Sequence, residues 1–277
     1  MTTTLEAPTT LDTADLAPGE RPRLTLGETL TDSRVMARRQ LRKIMRRPTY
    51  AIFALVQPVM FLLLFRYVFG GAIDTDGTAY VDFLIPGVMV QSAVFGALMT
   101  GMGLAEDIGA GVVDRLRSLP MARSAVMLGR TAADMVMNIA TLLVMFVAGL
   151  AVGFRPHGSV PDLVLALLLV IGFAYTFSWI SGFIGLWLRD IETVSSAGLI
   201  WVFPLTMLSS AFVPADSMPG PVGAFADVNP ITLAVDATRA LTLGEGDALG
   251  PALGTIAWLV ALLAIFIPLA TRAFKKA

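Results

Sequence analysis

Apolar stretches of about 20 residues recur along most of this chain, and each has the length a helix needs to cross a ~30 Å hydrocarbon layer. One reads "AIFALVQPVMFLLLFRYVFG" from Ala51 to Gly70, and another "FLIPGVMVQSAVFGALMTGMGLA" from Phe83 to Ala105. The runs are continuous rather than alternating, so they satisfy their backbone polar groups as helices and not as barrel strands. Charged residues make up 15% of the 277 positions, against about a quarter in a soluble domain. These features predict an all-α polytopic membrane protein.

Six spans are expected, at roughly Tyr50–Phe69, Phe83–Ala105, Asp134–Phe154, Leu163–Leu188, Val194–Val213 and Pro251–Ala270. Helix in the third is expected to begin earlier, near Ser124. Seventeen of the 20 Lys and Arg residues fall before span one, after spans two and four, and at the C-terminus. Only Arg66, Arg155 and Arg239 remain for the other side. This asymmetry predicts both termini in the cytoplasm, which an even number of spans allows.

The division expected along the chain is a disordered cytoplasmic tail (1–29), an amphipathic interfacial helix (30–48) and a six-helix transmembrane domain (49–277). The tail is rich in Thr, Pro and acid and has no basic region followed by an apolar one, so it does not read as a signal peptide. In "TDSRVMARRQLRKIMRRP", Leu30, Ala37, Leu41, Ile44 and Met45 share one helical face. Arg38, Arg39, Arg42, Lys43, Arg46 and Arg47 take the other, with Thr31 or Asp32 as cap. Such a helix suits the interface, its basic face on anionic lipid, which argues against nucleic-acid binding.

Two further segments are neither span nor plain loop. "VNPITLAVDATRALTLGEG", within an outer helical segment at about 214–248, predicts a helix capped by Asn229, started by Pro230 and ended by Gly244. Asp236 and Arg239 are spaced to pair at i, i+3. It is too short to span, so it is either a re-entrant or interfacial helix or a packed external loop. "EDIGAGVVDRLRSLP" leaves span two at Gly109 and Gly111 and forms a short helix at about 110–120, stopped by Pro120. Val112, Leu116 and Leu119 give that helix an apolar face that needs a partner, either the protein's own loops or another chain.

Several chemistries lack their residues. None of the three lysines follows glycine, so no P-loop is present and ATP is not bound by that motif. With no cysteine and His157 as the single histidine, neither a two-histidine zinc motif nor a Ser/His protease is supported. No catalytic, metal-binding or cofactor-binding residues are therefore assigned. Ionisable side chains are not found deep in the spans, where an ion-coupled carrier places them.

The stretch "EDIGAGVVDRLRSLPMARSAVMLGRTAADM", together with "LVQPVMFLLLFRYVFGGAI" and "VNPITLAVDATRAL", resembles the membrane subunits of type-2 ABC exporters. The likeness is closest to the daunorubicin/doxorubicin-resistance type and runs over nearly everything after about residue 30. It implies a permease without enzymatic activity of its own, with ATP and magnesium held by a separate ATP-binding cassette subunit present in two copies. It also implies a homodimer of this chain in a bacterial plasma membrane, acting on an amphipathic small-molecule or lipid cargo. The helix after span two would be a coupling helix that docks on the ATPase, with Glu106, Asp107, Gly109, Gly111, Asp114, Arg115, Leu116, Arg117, Ser118 and Pro120 in or beside the contact. Spans two and five would line the path, offering Met89, Gln91, Phe95, Met99, Phe203, Met207 and Ser210, any of which ordinary helix packing or lipid contact explains equally well.

The leading expectation is the transmembrane subunit of an ATP-driven exporter of a drug or antibiotic; Asn229, Pro230, Asp236 and Arg239 of the outer segment belong either to a lid over the exit or to a packed external loop. A lipid, glycolipid or glycan exporter of the same class is the alternative, and an ion-coupled secondary transporter the alternative of a different class.

Overall fold

The computed structural model describes residues 26–46, 48–70, 79–113, 115 and 123–276, and among them it is helical with no strand. The helices are α1 (Leu26–Met45), α2 (Pro48–Leu64), α3 (Tyr80–Gly109), α4 (Arg123–Val152), α5 (Val160–Leu188), α6 (Ile191–Met207), α7 (Gly220–Val228), α8 (Pro230–Leu243) and α9 (Leu249–Lys276). Four carry stretches long and apolar enough to cross a membrane: Tyr80–Gly109, Val126–Val152, Val160–Leu188 and Leu249–Phe274. Leu55–Phe69 and Ile191–Met207 are apolar but shorter. The tail expected at the N-terminus lies almost wholly outside the described residues.

The bundle is built around α3, which meets α2, α4, α5, α6 and α8. Its contact with α5 is the tightest seam. Small side chains let the two backbones touch: a Cβ added at Gly101 would strike the Ser181 carbonyl, and one at Gly185 would strike the Gly101 carbonyl. Leu84, Val88, Ala93, Phe173 and Phe177 fill the core beside it. At the far side α9 packs on α5 and α8 but buries only 6% of its most apolar stretch, a surface suited to lipid.

A two-residue link joins α5 to α6. Arg189 closes α5 in the left-handed region at φ 61°, and the Asp190 carboxylate accepts from the Thr193 amide and hydroxyl to cap α6. We call this the charged end of the bundle, because Glu106, Asp107 and Arg130 lie there too. The α7–α8 hairpin marks the opposite end.

Helix α1 departs from its sequence expectation in three ways. It begins at Leu26 rather than near residue 30, and Thr31 does not cap it; the hydroxyl donates to the Gly27 carbonyl inside the helix. Its packed face includes Met36 and Lys43. Gly129 of α4 lets Ser33 and Met36 approach, which turns Lys43 toward the bundle and away from the basic face. Span five also ends sooner than expected. Its helix stops at Met207 and not Val213, because Leu208 leaves helical geometry at φ −89°, ψ 45°, and a side chain from α8 takes up the freed carbonyls.

Candidate functional site

Between α2, α3, α4 and α6 lies a cavity of about 580 Å³ that reaches α1 at the charged end. Its walls are mostly apolar, with Phe61 on α2, Phe95, Leu98 and Met99 on α3, Met137 on α4 and Leu199 on α6. Uncharged polar groups line it as well: exposed Gln57 on α2, and buried Gln91 and Ser92 on α3 and Asn138 and Thr141 on α4. The hydroxyls of Ser92 and Thr141 are already used, donating to the Val88 and Met137 carbonyls of their own helices. The amide oxygen of Asn138 lies over Gly96, in space that any side chain there would take.

An ion-paired rim closes the charged end. Lys43 Nζ donates to Glu106 Oε2 at 2.8 Å and to Asp107 Oδ1 at 3.1 Å, tying α1 to α3. Arg130 Nη1 donates to Asp107 Oδ2 at 2.8 Å, tying α4 to the same carboxylate. Its Nε lies 3.6 Å from Asp134 Oδ2, an ion pair too long for a hydrogen bond. Thr100 donates to that Asp134 oxygen at 2.7 Å. Arg130 and Asp134 are 7% and 8% exposed, so their charges require this mutual pairing. Gly103 leaves the room that the Arg130 guanidinium fills.

Beyond the rim the chain leaves α3 through Gly111, whose φ of +64° suits glycine, with its N–H donating to the Ile108 carbonyl. Val113, not Val112, is the buried valine here; it joins Leu104, Met127, Trp179 and Phe274 in a second core cluster. Of the residues expected to contact an ATPase, Glu106 and Asp107 are engaged within the rim, Gly109 ends α3, and Arg115 is exposed. Asp114, Leu116, Arg117, Ser118 and Pro120 lie outside the described residues.

At the opposite end, Asn229 caps α8 as the sequence predicts, with Pro230 in the first turn and Gly244 closing the helix at φ 71°. The Asn229 side chain also donates from Nδ2 to the Leu205 and Leu208 carbonyls, so one buried residue starts α8 and finishes α6. Arg239 donates to Asp236 at 2.9 Å, the expected pair, and also to the Phe83 and Ser210 carbonyls. Its guanidinium lies 3.7 Å from the centre of the Phe83 ring. Burial pulls its pKa down to about 10, against the opposing pull of Asp236, and leaves it charged at neutral pH.

The expected path residues divide. Gln91, Phe95 and Met99 line the cavity. Met89 is in the core at 2% exposure, and Ser210 is buried in the hairpin cluster, donating to Asp236. Phe203 and Met207 are 54% and 36% exposed and do not line the cavity. Sequence reasoning missed Gln57 and Asn138. In each the available signal was an amide inside an apolar run, as at Gln91.

The sequence matches the model of the ABC-2 type transporter family over residues 31–243. It is 33% identical over 261 residues to a daunorubicin resistance ABC transporter permease of Streptomyces coeruleorubidus, covering 94% of this chain and 91% of that protein. A probable doxorubicin resistance ABC transporter permease of Mycobacterium tuberculosis is 26% identical over 274 residues, 95% of this chain and 96% of its own. A putative transport permease of Porphyra purpurea is 24% identical over 224 residues, 79% and 77% of the two chains. The chain belongs to the ABC-2 type transporter family. It is therefore a multi-pass membrane transport subunit and not an enzyme, the ATPase activity of such transporters residing on a separate subunit.

Proposed function

We propose that this chain is the membrane subunit of an ATP-driven exporter that moves an amphipathic drug or antibiotic out across a bacterial plasma membrane. Two copies stand side by side over two ATP-binding subunits. Each copy crosses six times, with α2 and α6 as the two shorter spans and both termini in the cytoplasm. The carrying observation is the 580 Å³ apolar cavity that opens beside an ion-paired rim, a volume in the range that drug-sized ligands occupy. The relatives named for daunorubicin and doxorubicin resistance support the cargo class.

In this reading the segment after α3 is the grip point for the ATPase. Val113 seats it on the bundle, and the rim couples α1, α3 and α4, so a push on the segment is delivered to three cavity walls at once. The hairpin of α7 and α8, pinned by Asn229 and Arg239, covers the far end of α3.

Co-expression with the neighbouring ATPase subunit, pull-down, and assay of labelled anthracycline uptake into inverted vesicles test the reading. ATP-dependent uptake by wild type, and loss of the ATPase from a folded Arg115→Glu, Leu116→Asp variant, are expected. Uptake of a labelled lipid in place of the anthracycline would transfer the assignment to a lipid exporter. Failure of wild type to hold any ATPase would remove the exporter reading.

A further inference from the structure

Helix α1 spends its apolar side on the bundle. It packs along α4, where Gly129 admits Met36 and Ala37, and Leu41 is half-buried on the same side. Lys43 turns inward as well, to Glu106 and Asp107 of α3. An interfacial helix ordinarily lies on a bilayer by its apolar face. That face is already taken here.

What remains exposed is basic. Arg34, Arg38, Arg39 and Arg42 fall within an arc of about 140°, and Arg46 follows in the turn beyond α1. The one acid between positions 31 and 46, Asp32, is half-buried and outside that arc. Val35 and Met45 stand among the arginines at 56% and 78% exposure. They are separated by about 15 Å along the helix axis.

The level of the arc is set by what α1 touches. Gly129, Glu106 and Asp107 each lie within one turn of the end of a membrane-length stretch, Val126–Val152 or Tyr80–Gly109. Helix α1 therefore runs along the boundary of the hydrocarbon, where lipid phosphates lie, and α2 enters apolar sequence at once with Ile52 and Val56 exposed. Guanidinium groups match phosphate oxygens in bidentate pairs. A bilayer offers headgroups beside every arginine and acyl chains beside both Val35 and Met45. A protein partner concentrates its contact in one apolar core, which two side chains so far apart do not share.

We propose that the arginine arc of α1 docks the anionic phospholipid headgroups of the leaflet at the charged end. The attraction is electrostatic and weakens with salt. The helix that binds lipid also carries Lys43 to the rim, so the headgroups steady α1 where it meets the cavity. The inference rests on the exporter reading only for placing this end in the cytoplasmic leaflet.

The permease–ATPase complex, purified in neutral detergent, would be incubated with equal amounts of phosphatidylglycerol and phosphatidylcholine and passed through gel filtration. Retained lipid is then counted by mass spectrometry. Wild type is expected to keep phosphatidylglycerol at least about fivefold over phosphatidylcholine. That preference should fall at least about threefold between roughly 0.1 M and roughly 0.5 M salt. Combined Arg34→Gln, Arg38→Gln and Arg42→Gln should bring retention within about twofold of parity. Arg272→Gln, exposed at the same end on α9, should leave it unchanged. Equal retention by wild type, or a preference indifferent to salt, would overturn the proposal. A preference that survives the triple change would overturn it too, and loss of the ATPase from that variant would assign the arc to the ATPase instead. Intact, arginine-dependent retention with no ATP-driven anthracycline uptake would refute export and leave the lipid site standing.

Discussion

Replacing Asn229 with alanine is the most demanding test of how the α7–α8 end is held. The side chain is 1% exposed and makes three hydrogen bonds. Its oxygen accepts from the Ile231 amide at 2.9 Å, a helix cap whose removal costs about 1 kcal/mol. Its nitrogen donates at 2.8 Å to both the Leu205 and Leu208 carbonyls. Alanine leaves those two acceptors buried and unpaired, at about 1–2 kcal/mol each. The expected loss is about 3–5 kcal/mol, large against the margin of most folded chains. Asn229→Asp separates the two halves, because a carboxylate keeps the cap and loses both donors while turning negative charge on two carbonyls. It should be at least as damaging as alanine. The assay is reversible unfolding in mixed micelles by denaturing detergent, read by tryptophan emission. A cost near 1 kcal/mol for alanine, or an aspartate variant as stable as wild type, would show that the amide nitrogen does not close α6.

Gly185→Val should cost about 1–3 kcal/mol in the same assay, since its side chain would be driven into the Gly101 backbone. Arg239→Lys keeps a charge beside Asp236 but gives up the fork to the Phe83 and Ser210 carbonyls and the flat stack on Phe83, and should lose about 2–3 kcal/mol. A double-mutant cycle of Lys43→Met and Glu106→Gln should show coupling of about 0.5–1 kcal/mol, because both side chains are about one-third exposed and water screens the pair. The Thr193 hydroxyl and then its amide hold the Asp190 carboxyl below its ordinary value of 3.8, so the cap on α6 is fully formed above that value and is lost as pH falls through the lowered one. A carboxyl chemical-shift titration of Asp190 should move toward the ordinary value in a Thr193→Ala variant.

Legibility followed sequence distance. The start, end and i, i+3 ion pair of α8 are local features, and Asn229, Pro230, Gly244, Asp236 and Arg239 all stand where their residue types predict. The apolar runs likewise announce their helices. What eluded the sequence depends on which helix lies opposite. Lys43 looks like one more basic residue on a lipid-facing stripe until Gly129 brings α1 against α4 and the Glu106–Asp107 pair comes within reach. Asn229 is plainly a cap, but its two donations to α6 span more than 20 positions. Ser210 has the composition of a path-lining residue and is instead consumed by Asp236. The cavity amides were legible as residues but not as a group, since α2, α3 and α4 are joined by no local pattern.

Where α3 and α5 meet, backbone rests on backbone through Gly101, Ser181 and Gly185, with no long side chain between them to change rotamer. Such a joint has no soft coordinate: sliding one helix past the other requires a jump of a whole turn, about 5.4 Å, and separation opens a void. The pair therefore acts as a keel. Reshaping of the cavity falls to the walls hung on either side of it, α2 with its Pro58 and the wide turn Phe65–Phe69, and α6 with Pro204. Cysteines paired across the keel should leave a working transporter, whereas a tether between α2 and α6 should arrest it with the cavity shut.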